Sequence, residues 1–259
     1  MNDGSAVVVS ADEHVATITL NRPGSLNSLD YPMATALRDA IDEVAARKPR
    51  VVVLRGAGSA FCGGGDVAAM HAHRDDLPAF IDRMIDAFHA SILALRRLRA
   101  PVIASVHGAV AGGGFSLALA CDLVVAARDT RFVVAYPKLG ASSDGGLSFY
   151  LTQRLGAARG LELLTVGGRI DPQQALALGL INQIADDGEL AAHTLALVQS
   201  LLSLPTQSVS ELKGLVAAQS IEALERHLDR EKAAFIRCSR TPDFAARVAA
   251  FVQKQPAAS

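Results

Sequence analysis

The stretch VHGAVAGGGF, residues 106–115, places a glycine triplet directly after the apolar run of residues 101–106. A second triplet stands in AFCGGGD, residues 60–66, and follows the apolar run of residues 51–54. A segment with helical spacing follows each triplet. Glycine lets the backbone approach a ligand closely, and the first turn of a helix has amide N–H groups without helical acceptors. Two such turns facing each other would direct two N–H donors at one carbonyl oxygen, which is an oxyanion hole.

A single glycine triplet is most simply a flexible turn. Two triplets, each between an apolar strand and a helix, favour a ligand-binding role. A dinucleotide-binding turn needs the pattern G-x-G-x-x-G, and neither triplet has the third glycine. A phosphate-binding loop with Gly-Lys-Ser/Thr is absent.

The alternation of strands and helices up to about residue 187 predicts an α/β core. The predicted strands are residues 14–20, 51–54, 101–106, 123–126 and 132–135, and the predicted helices are residues 30–46, 77–98 and 147–155. Only helices follow, at residues 189–204, 209–218, 221–236 and 244–252. We therefore predict a core of residues 1–196 and a C-terminal helical region of residues 197–259. The apolar faces of that region pack on the core or on a neighbouring subunit.

Composition excludes several classes of function. The 259 residues are 50% hydrophobic and 20% charged, with a net charge of −1 and three cysteines. No apolar run reaches the roughly 20 residues of a membrane-spanning helix, and no secretion signal stands at the N-terminus. The chain lacks the basic patch that nucleic acid requires, and its cysteines lack metal-ligand spacing. We predict a cytoplasmic protein with reduced thiols and without a metal, membrane or nucleic-acid partner.

A third cluster, AYPKLGASSDGGL at residues 135–147, contains Asp144 just before the predicted helix of residues 147–155. Asp144 is either a helix cap or a catalytic carboxylate at the mouth of a pocket, and the local pattern alone leaves both open. Asp66 also precedes a helix, and we predict that it caps that helix.

Four segments together resemble the crotonase superfamily, also called the enoyl-CoA hydratase/isomerase family. They are residues 18–29 (ITLNRPGSLNSL), 60–66, 106–122 and 164–181 (LTVGGRIDPQQALALGLI). The resemblance implies an α/β fold, the ClpP/crotonase-like spiral of ββα units, with a C-terminal helical region that forms trimers or hexamers. It also implies acyl-CoA thioester substrates and no permanently bound cofactor, with coenzyme A present as part of the substrate.

The resemblance carries over to individual residues. It assigns the two oxyanion-hole N–H groups to Gly65 and Gly113. The positions that match coenzyme A-binding segments are Gly24, Ser25, Leu26, Gly63, Asp66, Val67, Phe251 and Lys254.

The chain departs from the hydratases of this family where those enzymes carry two glutamates. Ser116 and Tyr136 stand in their places, and neither side chain ionises readily at neutral pH. Asp144 matches a position that is an aspartate in several isomerases and dehalogenases. One positioned carboxylate can move a proton between two carbons. We predict a double-bond isomerase with Asp144 as acid and base, and with Ser116 and Tyr136 in the same catalytic site.

Three alternatives stay open. One is a hydratase that uses Asp144 or Tyr136 in a non-standard way. Another is a dehalogenase-like route in which Asp144 attacks carbon, although a chain with no tryptophan and 5% aromatic residues is poorly suited to an aromatic pocket. The last is a non-catalytic acyl-CoA binder.

Overall fold

The structure, a computed structural model, describes residues 4–254. Its strands are β1 (Val7–Ala11), β2 (Val15–Leu20), β3 (Val51–Gly56), β4 (Val102–Val106), β5 (Ala109–Ala111), β6 (Leu123–Ala127), β7 (Arg131–Val133), β8 (Arg169–Ile170) and β9 (Gln183–Ala185). Its α-helices are α1 (Tyr31–Arg47), α2 (Val67–Ala72), α3 (Leu77–Arg97), α4 (Gly113–Ala120), α5 (Leu147–Leu155), α6 (Ala157–Thr165), α7 (Pro172–Ala177), α8 (Leu190–Leu202), α9 (Thr206–Ala218), α10 (Ile221–Ser239) and α11 (Pro242–Lys254).

Two sheets form the core. The larger has the order β1-β2-β3-β4-β6-β9, and its pairs are parallel except for β1 with β2. The smaller has the order β5-β7-β8. The chain passes from β4 to β5 and then to α4, and from β6 to β7 and then towards α5. This repeated ββα path is the predicted spiral, and the predicted α/β fold is confirmed.

The buried strands of the larger sheet explain why the sequence predicted them well. All five residues of β4 are buried, as is typical of parallel strands covered on both faces. The prediction for residues 132–135 was partly wrong, because β7 ends at Val133. The chain beyond it leaves the ladder and enters a 3₁₀ turn, Tyr136–Leu139.

The C-terminal helices pack on the core of their own chain. Helix α8 covers one face of the larger sheet, where Val198 joins an apolar cluster with Val53 and Val125. Helix α10 packs against α3, and α11 packs against α2 and the 3₁₀ turn. The predicted boundary after residue 196 falls inside α8.

An ion cluster attaches α9 to the core. The Nζ of Lys213 lies 2.7 Å from Asp122 Oδ2, and Arg96 Nη1 lies 3.0 Å from Asp122 Oδ1. Lys213 Nζ also donates to the carbonyl of Ala100. Burial lowers the pKa of Lys213, and Asp122 partly counteracts that effect. Among the helices within residues 4–254, none combines the length and apolar character needed to span a membrane.

Candidate active site

The two glycine triplets meet in the structure. A Cβ placed on Gly64 would lie 2.7 Å from the carbonyl oxygen of Ala111 and 3.6 Å from the Cα of Gly112. Gly64 has φ +96° and Gly112 has φ +49°, a region of backbone space that side chains disfavour. Glycine is therefore required at both positions for the loops to touch.

Hydrogen bonding fixes the direction of the Gly65 amide. Gly65 forms a parallel bridge with Leu29, in which the Leu29 N–H donates to the Gly64 carbonyl at 2.7 Å. The Asp66 N–H donates to the Leu29 carbonyl at 2.8 Å. In a parallel bridge the bonds to the partner come from the neighbours of the bridging residue, so the Gly65 N–H points away from Leu29.

Gly113 is the first residue of α4, and its N–H precedes the helical hydrogen-bond ladder. Within residues 4–254, no protein acceptor is found for the amide of Gly65 or of Gly113. Apolar side chains lie beside both amides. A Cβ on Gly65 would lie 2.9 Å from Met70 Cε, and a Cβ on Gly113 would lie 2.8 Å from Leu29 Cδ1. Apolar surroundings strengthen the interaction of an N–H group with developing charge.

Asp144 lies in the loop between the 3₁₀ turn and α5 and is 6% exposed. Its Oδ1 accepts a hydrogen bond from the Gly145 N–H at 2.7 Å and lies 2.5 Å from His89 Nε2. No residue in the described part of the chain donates to its Oδ2. Asp144 is not the N-cap of α5, because Gly146 holds that position. By contrast, Asp66 caps α2 as predicted, by accepting the Ala69 N–H.

Ser116 and Tyr136 converge on the backbone of Asp144. The Ser116 hydroxyl donates to the Asp144 carbonyl at 2.6 Å, and the Tyr136 hydroxyl donates to the same oxygen at 3.0 Å. Burial, followed by the nearby charge of Asp144, holds the pKa of Tyr136 well above its ordinary value. Tyr136 therefore remains a phenol that donates a hydrogen bond.

The ring of Phe88 connects the second triplet to the Asp144 loop. A Cβ on Gly113 would lie 3.4 Å from Phe88 Cε1, and a Cβ on Gly145 would lie 3.0 Å from Phe88 Cζ. Gly113 of α4 and Gly145, the residue after Asp144, thus both lie against the Cε1–Cζ edge of one aromatic ring.

His89 is a site residue that the sequence did not reveal. It lies on the buried face of α3, between Ile85 and Ile92. Burial lowers the pKa of His89, but Asp144, Glu231 and Asp86 together outweigh that effect and raise it above the ordinary value. A polar residue within the apolar stripe of an amphipathic helix was the available signal.

Glu231, on α10, is a second residue that the sequence did not reveal. One side-chain ligand atom each of Glu231, His89 and Asp144 lies within 4.8 Å of the others. The carboxylate of Glu231 is already hydrogen bonded to the loop that carries Asp144. The three side chains therefore form a network held by hydrogen bonds within the protein.

The residues matched to coenzyme A segments lie beside the first triplet. Gly24 and Ser25 belong to the 3₁₀ turn Pro23–Ser25, and the exposed Leu26 follows with φ +52°. The Gly63 N–H donates to the Leu26 carbonyl at 2.8 Å, which joins the two segments.

Two further residues of these segments, Asp66 and Val67, are held within the protein. Asp66 also accepts a hydrogen bond from the Ser28 hydroxyl, and Val67 is buried. Phe251 is 43% exposed on α11. Lys254 ends that helix, and its side chain lies outside the described residues.

Comparison with known proteins agrees with this fold. Residues 10–258 match the family model described as enoyl-CoA hydratase/isomerase. The chain therefore belongs to the enoyl-CoA hydratase/isomerase family, which is the crotonase superfamily predicted from the sequence.

Individual relatives differ in the activity that their names give. The chain is 32% identical to the 1,2-epoxyphenylacetyl-CoA isomerase of Escherichia coli, over 96% of each chain. It is 29% identical to the trans-2-decenoyl-[acyl-carrier-protein] isomerase of Streptococcus mutans, over 98% of this chain and 97% of the relative. A solved enoyl-CoA hydratase from Mycobacterium avium subsp. paratuberculosis superposes with a TM-score of 0.85 at 30% identity, covering 95% of this chain and 98% of the other.

Proposed function

We propose that this enzyme shifts a double bond in an enoyl-CoA, with Asp144 as the acid and base. The observation that carries the proposal is the buried carboxylate of Asp144 near two glycine loops whose Gly65 and Gly113 N–H groups have no acceptor among residues 4–254. Asp144 keeps Oδ2 without a donor in the described chain, while its Oδ1 is occupied by His89 and Gly145.

The proposed reaction needs one base and one stabilised enolate. Asp144 removes a proton from the carbon next to the thioester of a 3-enoyl-CoA, and the electron pair delocalises onto the thioester oxygen. The N–H groups of Gly65 and Gly113 stabilise that oxygen, and one such donor typically contributes about 3 kcal/mol to the transition state. Asp144 then returns the proton to the far carbon, which gives the 2-enoyl-CoA.

The environment of Ser116 and Tyr136 argues against hydration. Hydration by the two-acid route needs a second carboxylate to activate water, and both hydroxyls here bind the Asp144 carbonyl instead. Their positions support a role in holding Asp144, and the predicted catalytic site then consists of Asp144, Gly65, Gly113, Tyr136 and Ser116.

A second candidate is the dehalogenase-like route, and the position of His89 is the observation that favours it. Asp144 would attack a carbon that carries a leaving group, and a water deprotonated by His89 would hydrolyse the resulting ester. The raised pKa of His89 counts against this route, because an imidazolium must lose its proton before it can act as a base.

The proposal extends to the surroundings of the enzyme. We infer that coenzyme A enters with the substrate along Gly24, Ser25, Leu26, Gly63, Asp66 and Val67, with Phe251 and Lys254 near its nucleotide end. We also propose a cytoplasmic homotrimer or hexamer without a permanently bound cofactor. These statements rest on family resemblance together with the adjacency of the Leu26 and Gly63 segments.

The test is a panel of 3-enoyl-, 2-enoyl- and aryl-acyl-CoA thioesters, with products followed by mass spectrometry and absorbance. We expect unchanged mass with shifted absorbance for the 3-enoyl substrate. We also expect Asp144→Asn to abolish turnover while acyl-CoA binding remains. Gain of the mass of water would overturn isomerisation in favour of hydration. Binding without turnover of any thioester would identify a non-catalytic binder.

A further inference from the structure

Glu231 reaches the catalytic loop from the C-terminal helical region. It lies on α10, is 5% exposed, and faces the core on the same stripe as Leu224, Leu228 and Phe235. A buried carboxylate is costly unless several donors stabilise its charge.

Four donors from one loop meet this carboxylate. Gly146 N–H donates to Oε2 at 2.6 Å, and Ser148 N–H donates to Oε1 at 3.1 Å. The Ser143 hydroxyl donates to Oε1 at 2.8 Å, and the Ser148 hydroxyl donates to the same oxygen. Ser143 immediately precedes Asp144, whereas Gly146 and Ser148 follow it. Glu231 therefore holds the loop on both sides of Asp144.

The loop cannot hold itself in this way. Gly145 and Gly146 have φ +64° and +87°, and Gly146 has no side chain with which to cap α5. Glycine has the largest conformational entropy to lose on ordering. A carboxylate at the first turn of a helix also interacts favourably with the helix dipole. The local sequence leaves this turn loose, and a residue 85 positions away in the chain orders it.

We propose that Glu231 is a positioning residue, which fixes the turn of residues 143–148 so that the Asp144 carboxylate keeps its orientation towards the substrate. This inference rests on the proposed role of Asp144 as acid and base. Glu231 itself contacts the loop and not the reacting atoms.

The charge of Glu231 has a second effect, which a purely structural cap would lack. The groups that raise the pKa of His89 are Asp144, Glu231 and Asp86. Asp86 also pairs with Lys232, which offsets part of its charge. Neutralising Glu231 therefore lowers the pKa of His89, and an NMR titration of that imidazole reports the change.

The experiment compares Glu231→Gln with Glu225→Gln, a matched change at an exposed position of the same helix. Misplacement of a catalytic group by about 1 Å costs on the order of 100-fold in rate. For Glu231→Gln we expect kcat to fall roughly 10- to 100-fold, with KM and acyl-CoA affinity within about twofold and a lower His89 pKa. Glu225→Gln should match the wild type in all four measurements.

The outcomes separate this inference from the proposed function. Wild-type kcat in Glu231→Gln, together with an inactive Asp144→Asn, would overturn the positioning role and leave the function intact. If the wild type does not isomerise, the proposed function fails. The positioning role of Glu231 is then tested by NMR, through the downfield N–H resonance of the hydrogen bond between His89 and Asp144. Loss of this resonance in Glu231→Gln supports the positioning role, and its persistence overturns that role. If Glu231→Gln does not fold, the double variant Ser143→Ala/Ser148→Ala should show the same fall in kcat, and unchanged kcat there overturns the proposal.

Discussion

Asp144 is held through its backbone as well as through its carboxylate. Its carbonyl receives the hydroxyls of Ser116 and Tyr136, and its Oδ1 receives the Gly145 N–H and the His89 ring. Each restraint removes a direction in which the carboxylate could turn. Catalytic groups need this kind of support because small misplacements cost rate.

The variants Tyr136→Phe and Tyr150→Phe compare the loss of a hydrogen-bonded buried hydroxyl with the loss of an unbonded one. Tyr136→Phe removes a hydrogen bond to Asp144, and we expect a loss of about 1 kcal/mol in the free energy of unfolding together with lower kcat. The Tyr150 hydroxyl is buried without a partner among the described residues. Tyr150→Phe should therefore leave stability unchanged or slightly higher. Urea denaturation and steady-state kinetics measure both, and equal destabilisation by the two changes would contradict the assignment.

His89 makes a pH-dependent contribution to stability. Because its pKa is raised in the folded protein, its contribution is complete below the unfolded value of about 6.5. It is lost as the pH rises through the folded pKa. We expect the free energy of unfolding to differ most between wild type and His89→Gln at low pH, and the difference to shrink towards high pH. Urea denaturation at a series of pH values checks this, and a constant difference would refute it.

Individual site residues could be predicted from the sequence only where they stand in a recognisable local motif. The glycine triplets and Asp144 stand in recognisable local contexts. His89 lies 55 positions before Asp144 and Glu231 lies 85 positions after Gly146, so no spacing rule connects them. Tertiary folding brings these partners together, which is why the sequence left the Asp144 network incomplete.

At the scale of elements, α9 is attached to the core by two ion pairs of different burial. Lys213 is 7% exposed and pairs with Asp122, whereas Glu211 is 62% exposed and pairs with Arg99. Removing one partner from a buried cluster leaves charge poorly compensated, whereas exposed pairs contribute little.

We expect Lys213→Met to lower the free energy of unfolding by about 1–3 kcal/mol, because Asp122 keeps only Arg96 and a backbone donor. Glu211→Gln should cost about 0–1 kcal/mol. Denaturant unfolding of both variants measures the difference. A larger cost at Glu211 would show that the buried cluster does not secure α9.

Several of the elements that the sequence missed are short, although β1 with five residues and α6 with nine were missed as well. Strands β5, β8 and β9 contain three, two and three residues. Such segments are too short for alternation to show. The long helices and the buried parallel strands were predicted because burial imposes a periodic or continuous apolar pattern.

At the scale of the whole molecule, α9 leaves a hydrophobic surface uncovered. Leu212, Leu215 and Val216 are each more than 60% exposed, and no apolar residue of α9 is buried. We propose that this surface packs against a neighbouring copy of the chain, as expected for a trimerisation region of residues 197–259.

We expect sedimentation to show a trimer or hexamer for the wild type and smaller species for Leu215→Asp. The control is Val166→Asp, at a residue just after α6 that is 79% exposed. It should leave the assembly unchanged. A monomeric wild type would remove the assembly proposal, and an intact assembly in Leu215→Asp would place the interface elsewhere.

The hydrogen bonds between Glu231 and the Asp144 loop also determine when this loop becomes ordered during translation. The ribosome releases the glycine loops and Asp144 long before α10, and proteins generally fold from the N-terminus as they emerge. A nascent chain that ends before residue 231 lacks the carboxylate that accepts four hydrogen bonds from residues 143–148. The hydrogen-bond network around Asp144 is therefore completed late in synthesis, and prematurely terminated chains carry Asp144 and the glycine loops without the contacts between the Asp144 loop and Glu231.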